Sequence, residues 1–175
     1  MLCEQNNSLK IKQDVVKAIL TAAVSFESPH AYVPGPGGYF PYGAGLLDCV
    51  GACWVSNHGR YIQSSIASNT ESHSYSFYVS ETDTRIRVSL AFLVKCTPNS
   101  SVSHNGEEAV SWSYPSDLNL EVYAPGSSTP IAVSETMNNN IEIVDFIPPT
   151  TGMYTIKVVN EVMNYSPTYY AVAWI

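Results

Sequence analysis

Basic residues are scarce in this chain: eight Lys and Arg stand against fifteen Asp and Glu, a formal net charge of −7. Nucleic-acid binding needs clustered Lys and Arg to neutralise phosphates, and no such cluster occurs, so that class of partner is excluded. Charge of either sign is sparse, 13% of 175 residues, and Ser, Thr, Asn and Tyr supply the polar surface instead. No long apolar run is present. The longest, "VVKAILTAAV", contains Lys17 and falls far short of the roughly 20 residues that cross a bilayer. The opening "MLCEQNNSLKIKQ" lacks a basic stretch followed by an apolar one, so it does not read as a signal peptide. Also missing is a metal-type cysteine pattern. Cys3, Cys49, Cys53 and Cys96 form one C-x3-C pair with no second pair or spaced His, and buried free thiols are the expectation for Cys49 and Cys53.

What is there is enough apolar material for a packed domain, 45% of the chain at a mean hydropathy of −0.01. From Leu9 the residues Val15, Val16, Ile19, Leu20 and Ala23 recur at helical period, with Ser8 placed to cap, and the helix should end between Ser25 and Pro29. "PHAYVPGPGGYFPYGAG" follows, too rich in Pro and Gly for helix or interior strand. "LLDCVGACW" then reads as a second short helix or turn.

After Trp54 the pattern changes to short β-branched and aromatic segments between turn signals. "RYIQSSIA", "SYSFYV", "RIRVSLAFLV", "AVSWSY", "DLNLEVYA", "PIAV", "NIEIVDFI", "MYTIKVV" and "YYAVAWI" predict a mainly β, jelly-roll-like sandwich or barrel. In "DLNLEVY" Leu118, Leu120 and Val122 share one face and Asp117, Asn119, Glu121 and Tyr123 the other, the half-buried antiparallel pattern. In "NIEIVDF" Ile141, Ile143 and Asp145 alternate with Glu142, Val144 and Phe146. "KCTPNSSVSHNGEEAV" is expected to be a long mobile loop. The division expected is 1–54, too short to bury a core of its own, and 55–175, a β-domain.

These segments carry a resemblance. "LKIKQDVVKAILTAAV" followed by "YGAGLLDCVGA" resembles the end of the catalytic domain of subtilisin-like serine proteases, the subtilases. In that family a late helix with V-K-x-x-L-x-x-(S/A)-A precedes a closing G-x-G-hydrophobic-hydrophobic-(D/N)-A. Val16, Lys17, Leu20 and Ala23 fit the first pattern, and Gly43, Gly45, Leu46, Leu47 and Asp48 the second, with Cys49 in place of the usual Ala. "DLNLEVYAPG", "NNNIEIV" and "PPTTGMYTIKVV" resemble, in the same order, the jelly-roll-like domain appended to many long subtilases. The resemblance implies that residues 1–54 are a remnant of a protease domain, that Leu46 and Leu47 pack beneath the preceding helix, and that the β-domain is structural.

It also implies a missing site. The family's catalytic Asp, His and Ser lie in D-(T/S)-G, H-G-T and G-T-S-x-A-P, and none of these strings occurs, so no catalytic residue is assigned and the chain alone should not be a peptidase. His30, His58, His73 and His104 stand in polar or loop-like surroundings, and no G-x-S-x-G elbow offers another nucleophile. "HNGEE" has neither H-E-x-x-H nor EF-hand spacing. Calcium is the one cofactor candidate, through Asp117, Asn119, Glu121 and Asn138 to Asn140, although same-face strand side chains about 6.6 Å apart cannot all reach one ion. Tyr75, Phe77, Tyr154 and Trp174 read as core rather than as a binding row.

Three expectations concern partners and place. The apolar helix face at Leu9, Val16, Ile19 and Leu20 would meet the missing protease domain or form a homodimer. The parent protein would be extracellular or at the cell surface. The alternative is a free-standing secreted β-sandwich that binds glycan or protein.

Overall fold

The computed structural model describes residues 7–10, 12–25, 44–94, 98–104, 107–112, 116–137 and 139–175, with the backbone alone for 7, 98–104 and 107–112. Ten strands are seen among them: β1 Tyr61–Ile66, β2 Ser72–Val79, β3 Ile86–Phe92, β4 Pro98–His104, β5 Glu107–Trp112, β6 Asp117–Tyr123, β7 Ala132–Ser134, β8 Ile141–Phe146, β9 Gly152–Val162 and β10 Thr168–Trp174. Nine match the segments expected. Two helices precede β1, α1 Gln13–Ala22 and α2 Cys49–Asn57, so residue 54 lies inside a helix.

The strands form two antiparallel four-stranded sheets, ordered β1-β10-β3-β8 and β2-β9-β6-β7, with β4 and β5 as a separate pair. Setting that hairpin aside, the eight remaining strands alternate between sheets in the order 1-8-3-6 and 2-7-4-5, the interlocked Greek keys of a jelly roll. Among the described residues the sheets stay separate, so the architecture is a sandwich and not a closed barrel.

Alternation explains why the sheets stack. Leu118, Leu120 and Val122 of β6 and Tyr154, Ile156 and Val158 of β9 point inward from one sheet. They meet Val88, Leu90 and Phe92 of β3 and Tyr170 and Val172 of β10 from the other. The intervening residues of β3 and β10 are Ser89, Ala91, Ala171 and Ala173, small and also buried. They make a flat floor on the sheet's second face, and Val15, Ala18, Ile19 and Ala22 of α1 pack on it. That sheet is thus the middle of three layers, which is why "YYAVAWI" carries no polar face.

Several expectations need correction. Instead of running from Leu9, α1 begins at Gln13. Leu9 ends a 3-10 turn and is fully buried, and Lys12 caps α1 without a side-chain bond. The helix stops at Ala22 because tertiary bonds capture the chain: Val24 bridges Leu47, Ser25 N–H donates to Leu46 O (2.8 Å) and Asp48 N–H to Ala23 O (2.9 Å). The long polar segment expected to be a mobile loop contains the β4–β5 hairpin, whose register pairs His104 with Glu107. The signal missed was Asn105-Gly106, the dipeptide favoured between hairpin strands. Most of the Gly/Pro loop, with Cys3, Cys96, His30, Gly43 and Asn138, lies outside the described residues.

Candidate functional site

The "GAGLLD" turn places the first group of candidate residues. Gly45 takes φ +113°, a conformation that side-chain-bearing residues rarely adopt. Asp48 is the N-cap of α2: its Oδ1 accepts from the N–H groups of Val50 (2.9 Å) and Gly51 (3.0 Å). Ala52 and Val55 of α2 join the core beneath α1.

The opposite side of α2 is open. Leu46 and Leu47 do not pack beneath the preceding helix; they are 65% and 45% exposed, because the chain engages α1's end through backbone bonds and turns those side chains outward. Val50, 80% exposed, and Trp54, 37% exposed, continue the apolar strip along α2. Cys49 is exposed and Cys53 half-buried, both free, so the expectation of buried thiols fails where α2 faces outward.

Beside this strip a groove of about 610 Å³ opens between α2 and the β2–β3 connection, lined by Trp54, Arg60, Tyr78, Glu81, Arg85 and Ile175 among others. The Arg60 guanidinium lies 4.4 Å over the Trp54 ring, and His58 stacks on that ring at 4.4 Å between centroids. Burial lowers the Arg60 pKa from its ordinary value.

The constellation that most looks like catalytic machinery lies elsewhere. His73 Nε2 is 2.9 Å from Glu71 Oε1, its Nδ1 is 2.7 Å from the Tyr170 hydroxyl, and that hydroxyl is 2.5 Å from the Tyr75 hydroxyl. A nucleophile must be activated, and here the environment does the reverse: burial, then the bond with Tyr75, push the Tyr170 hydroxyl above the usual tyrosine range. Tyr170 itself is fully buried. The relay ties β2 to β10 across the open flank of the sandwich. At its outer end, Glu71 accepts from the N–H groups of Ala67 and Ser68, which with His73 hold its carboxyl down at about 2.

Of the calcium candidates, Glu121 and Asn140 bond to protein groups, whereas Asp117 Oδ1 is buried with no hydrogen-bond partner among the described residues. Glu121 accepts from the Tyr123 hydroxyl (2.6 Å) and lies 3.3 Å from Lys157 Nζ, and burial, then Glu161, raise the Asp117 pKa. Asn140 accepts from Lys17 Nζ (2.6 Å) and donates to Phe92 O (3.2 Å), joining α1 to β3. Among the described residues no cluster of three His, Cys, Asp or Glu side chains is arranged for a metal.

Three buried charged groups escaped the sequence reading, the first being Asp14 of α1, whose carboxylate accepts from Gln63 Nε2 (2.9 Å). Arg87 of β3 donates from Nε (2.7 Å) and Nη2 (2.6 Å) to the two carboxylate oxygens of Asp145 on β8, and from Nη1 (3.4 Å) to Ala44 O of the closing turn. Glu142 accepts from the Ser134 hydroxyl and from the Thr136 N–H (3.1 Å) and hydroxyl. Burial outweighs those bonds and pushes its carboxyl up to about 7.

Of the helix face expected to meet a partner, Leu9 and Ile19 are buried within the chain. Val16 and Leu20, half-buried, line a shallow pocket of about 450 Å³ with Lys10, Gln13, Lys17 and Thr21.

No family model matches the chain, and no curated protein matches it. Among solved structures it is similar to the pre-peptidase C-terminal domain of collagenase from Bacillus anthracis, with a TM-score of 0.44 and 14% identity over 66% of this chain and 87% of that one. It is also similar to PliG of Aeromonas hydrophila, a periplasmic lysozyme inhibitor of g-type lysozyme, with a TM-score of 0.36 and 14% identity over 66% of this chain and 84% of that one.

Proposed function

We propose that this chain is the noncatalytic C-terminal portion of a subtilisin-like serine endopeptidase, exported or held at the cell surface, whose β-sandwich packs on and stabilises the protease domain. The observation that carries this reading is the exposed apolar strip Leu46, Leu47, Val50 and Trp54. It lies on the segment that resembles the closing corner of a subtilase domain, where the rest of that domain would stand. Contiguous exposed apolar side chains on a folded unit mark a surface that meets protein. The interior of the sandwich, filled by Phe77, Tyr154, Tyr170 and their neighbours, supports a structural role for the β-domain.

The noncatalytic half of the proposal is tested with fluorogenic peptides, casein and a serine-reactive phosphonate, followed by mass spectrometry of the intact chain. The expected result is no hydrolysis and no adduct. Stoichiometric labelling of any serine would contradict it.

A second reading, a free-standing sandwich that binds glycan or protein, draws on the groove at Trp54 and Tyr78, where an aromatic face and the Arg60 guanidinium sit together. Saturable glycan binding lost in Trp54→Ala would favour it.

A further inference from the structure

Among the described residues strand β2 is an edge of its sheet, hydrogen-bonded to β9 on one side and to no strand on the other. Natural edges are blunted by Lys, Pro, bulges or inward charges, which prevent another strand from adding. "SHSYSFYV" has no Lys, Arg, Asp, Glu, Pro or Gly and an unbroken register with β9 over eight residues, and its inward His73 is held by Glu71 and Tyr170 of its own chain.

The phase of its hydrogen bonds follows from one contact. Asn160 N–H donates to Glu71 O (3.0 Å), and residues paired in this way alternate along an antiparallel ladder. His73, Tyr75, Phe77 and Val79 therefore turn their backbone groups toward β9. Ser72, Ser74, Ser76 and Tyr78 turn theirs outward, and their side chains are exposed on the outer face of the sheet.

We infer that this edge pairs with the same edge of a second copy, joining two four-stranded sheets into one across a two-fold axis. The strand is complementary to itself. In the antiparallel register centred on Tyr75, Ser74 faces Ser76 and Ser72 faces Tyr78, and all four are residues whose N–H and C=O point outward. On the inner face Tyr75 meets Tyr75 and His73 meets Phe77, aromatic cross-strand pairs of the kind that stabilise sheets. No like charges meet along the seam. The net charge of −7 repels the copies over longer range, so salt strengthens the association by screening.

Sedimentation of the whole chain from low to high micromolar concentration, with hydrogen exchange read amide by amide, tests this. The expected result is a closed monomer–dimer equilibrium in which the Ser74 and Ser76 amides gain protection as concentration rises, while those of Tyr75 and Phe77 are protected throughout. Ser74→Pro removes an N–H that bonds to no group among the described residues, so the variant should fold and associate at least about tenfold more weakly. Ser76→Lys, which leaves the backbone intact and places like charges near the axis, should do the same. A chain that remains monomeric, a dimer unaffected by either substitution, or open-ended aggregation would each overturn the proposal.

Discussion

Arg87 and Asp145 face each other directly across β3 and β8 and form a two-pronged ion pair, the guanidinium fully buried. The pair lies on the same sheet face as Ser89 and Ala91, and it reaches the closing turn through Ala44 O. Removing one partner leaves the other as an uncompensated buried charge. Asp145→Leu or Arg87→Met alone should cost about 3–5 kcal/mol, whereas the two together should recover much of that loss. Urea denaturation of the four proteins in a double-mutant cycle measures it. Independent, additive losses would contradict the pairing.

Glu142 makes stability depend on pH in the direction opposite to a salt-bridged carboxylate. Its folded pKa, about 7, is above the ordinary 4.5, so between those values the folded chain holds a proton that the unfolded chain releases. Stability contributed by protonated Glu142 is present below about 4.5 and declines as pH rises toward 7, by a few kcal/mol at most. Glu142→Gln, which stays neutral, should flatten this part of the profile relative to the parent protein. Matched denaturation midpoints at pH 5 and pH 8 show whether it does; an unchanged difference would place the titration elsewhere.

Arg87 and Glu142 mark where the sequence was hard to read. β-Branched and aromatic residues marked "RIRVSLAF" as a strand and alternation marked "NIEIVDF", but neither signal could say that both faces of this sheet are covered. Arg87 was assigned to neither face, and the closing turn that meets it comes from far away in sequence. Glu142 was placed on the same face as Val144 and Phe146, yet only the fold brings Ser134 and Thr136 to it. The helical period of α1 was legible while its ends were not, since Leu46, Leu47 and Asp48 decide where the chain leaves the helix. The alternation of "DLNLEVY" was read correctly: Leu118, Leu120 and Val122 are fully buried.

Gly152 joins two segments of the jelly-roll resemblance. It takes φ +133°, and a Cβ built there would lie 2.9 Å from Pro125 Cγ in "YAPG". Gly152→Ala therefore meets both backbone strain and a clash, and should destabilise by about 1–3 kcal/mol. Thermal unfolding beside Gly126→Ala, whose φ of +71° lies near the left-handed region and whose Cβ would meet open space, should show the larger loss at Gly152. Equal losses would contradict this account of Gly152.

Asp48→Ala should cost about 1 kcal/mol by orphaning the N–H groups of Val50 and Gly51, and Asp48→Asn should retain most of the stability, because an amide oxygen can still accept. Chemical denaturation of the two variants reads the difference. Equal losses would indicate that Asp48 acts through its charge and not as a cap.

The most direct test of the functional account is photocrosslinking from the exposed face of α2, with a benzophenone amino acid at Val50 of the chain expressed in its native host. The account predicts that the dominant adduct is to a polypeptide bearing the subtilase D-(T/S)-G, H-G-T and G-T-S-x-A-P segments, and that Leu46→Asp abolishes it. Adducts only to proteins without those segments, or an adduct that survives Leu46→Asp, would contradict it.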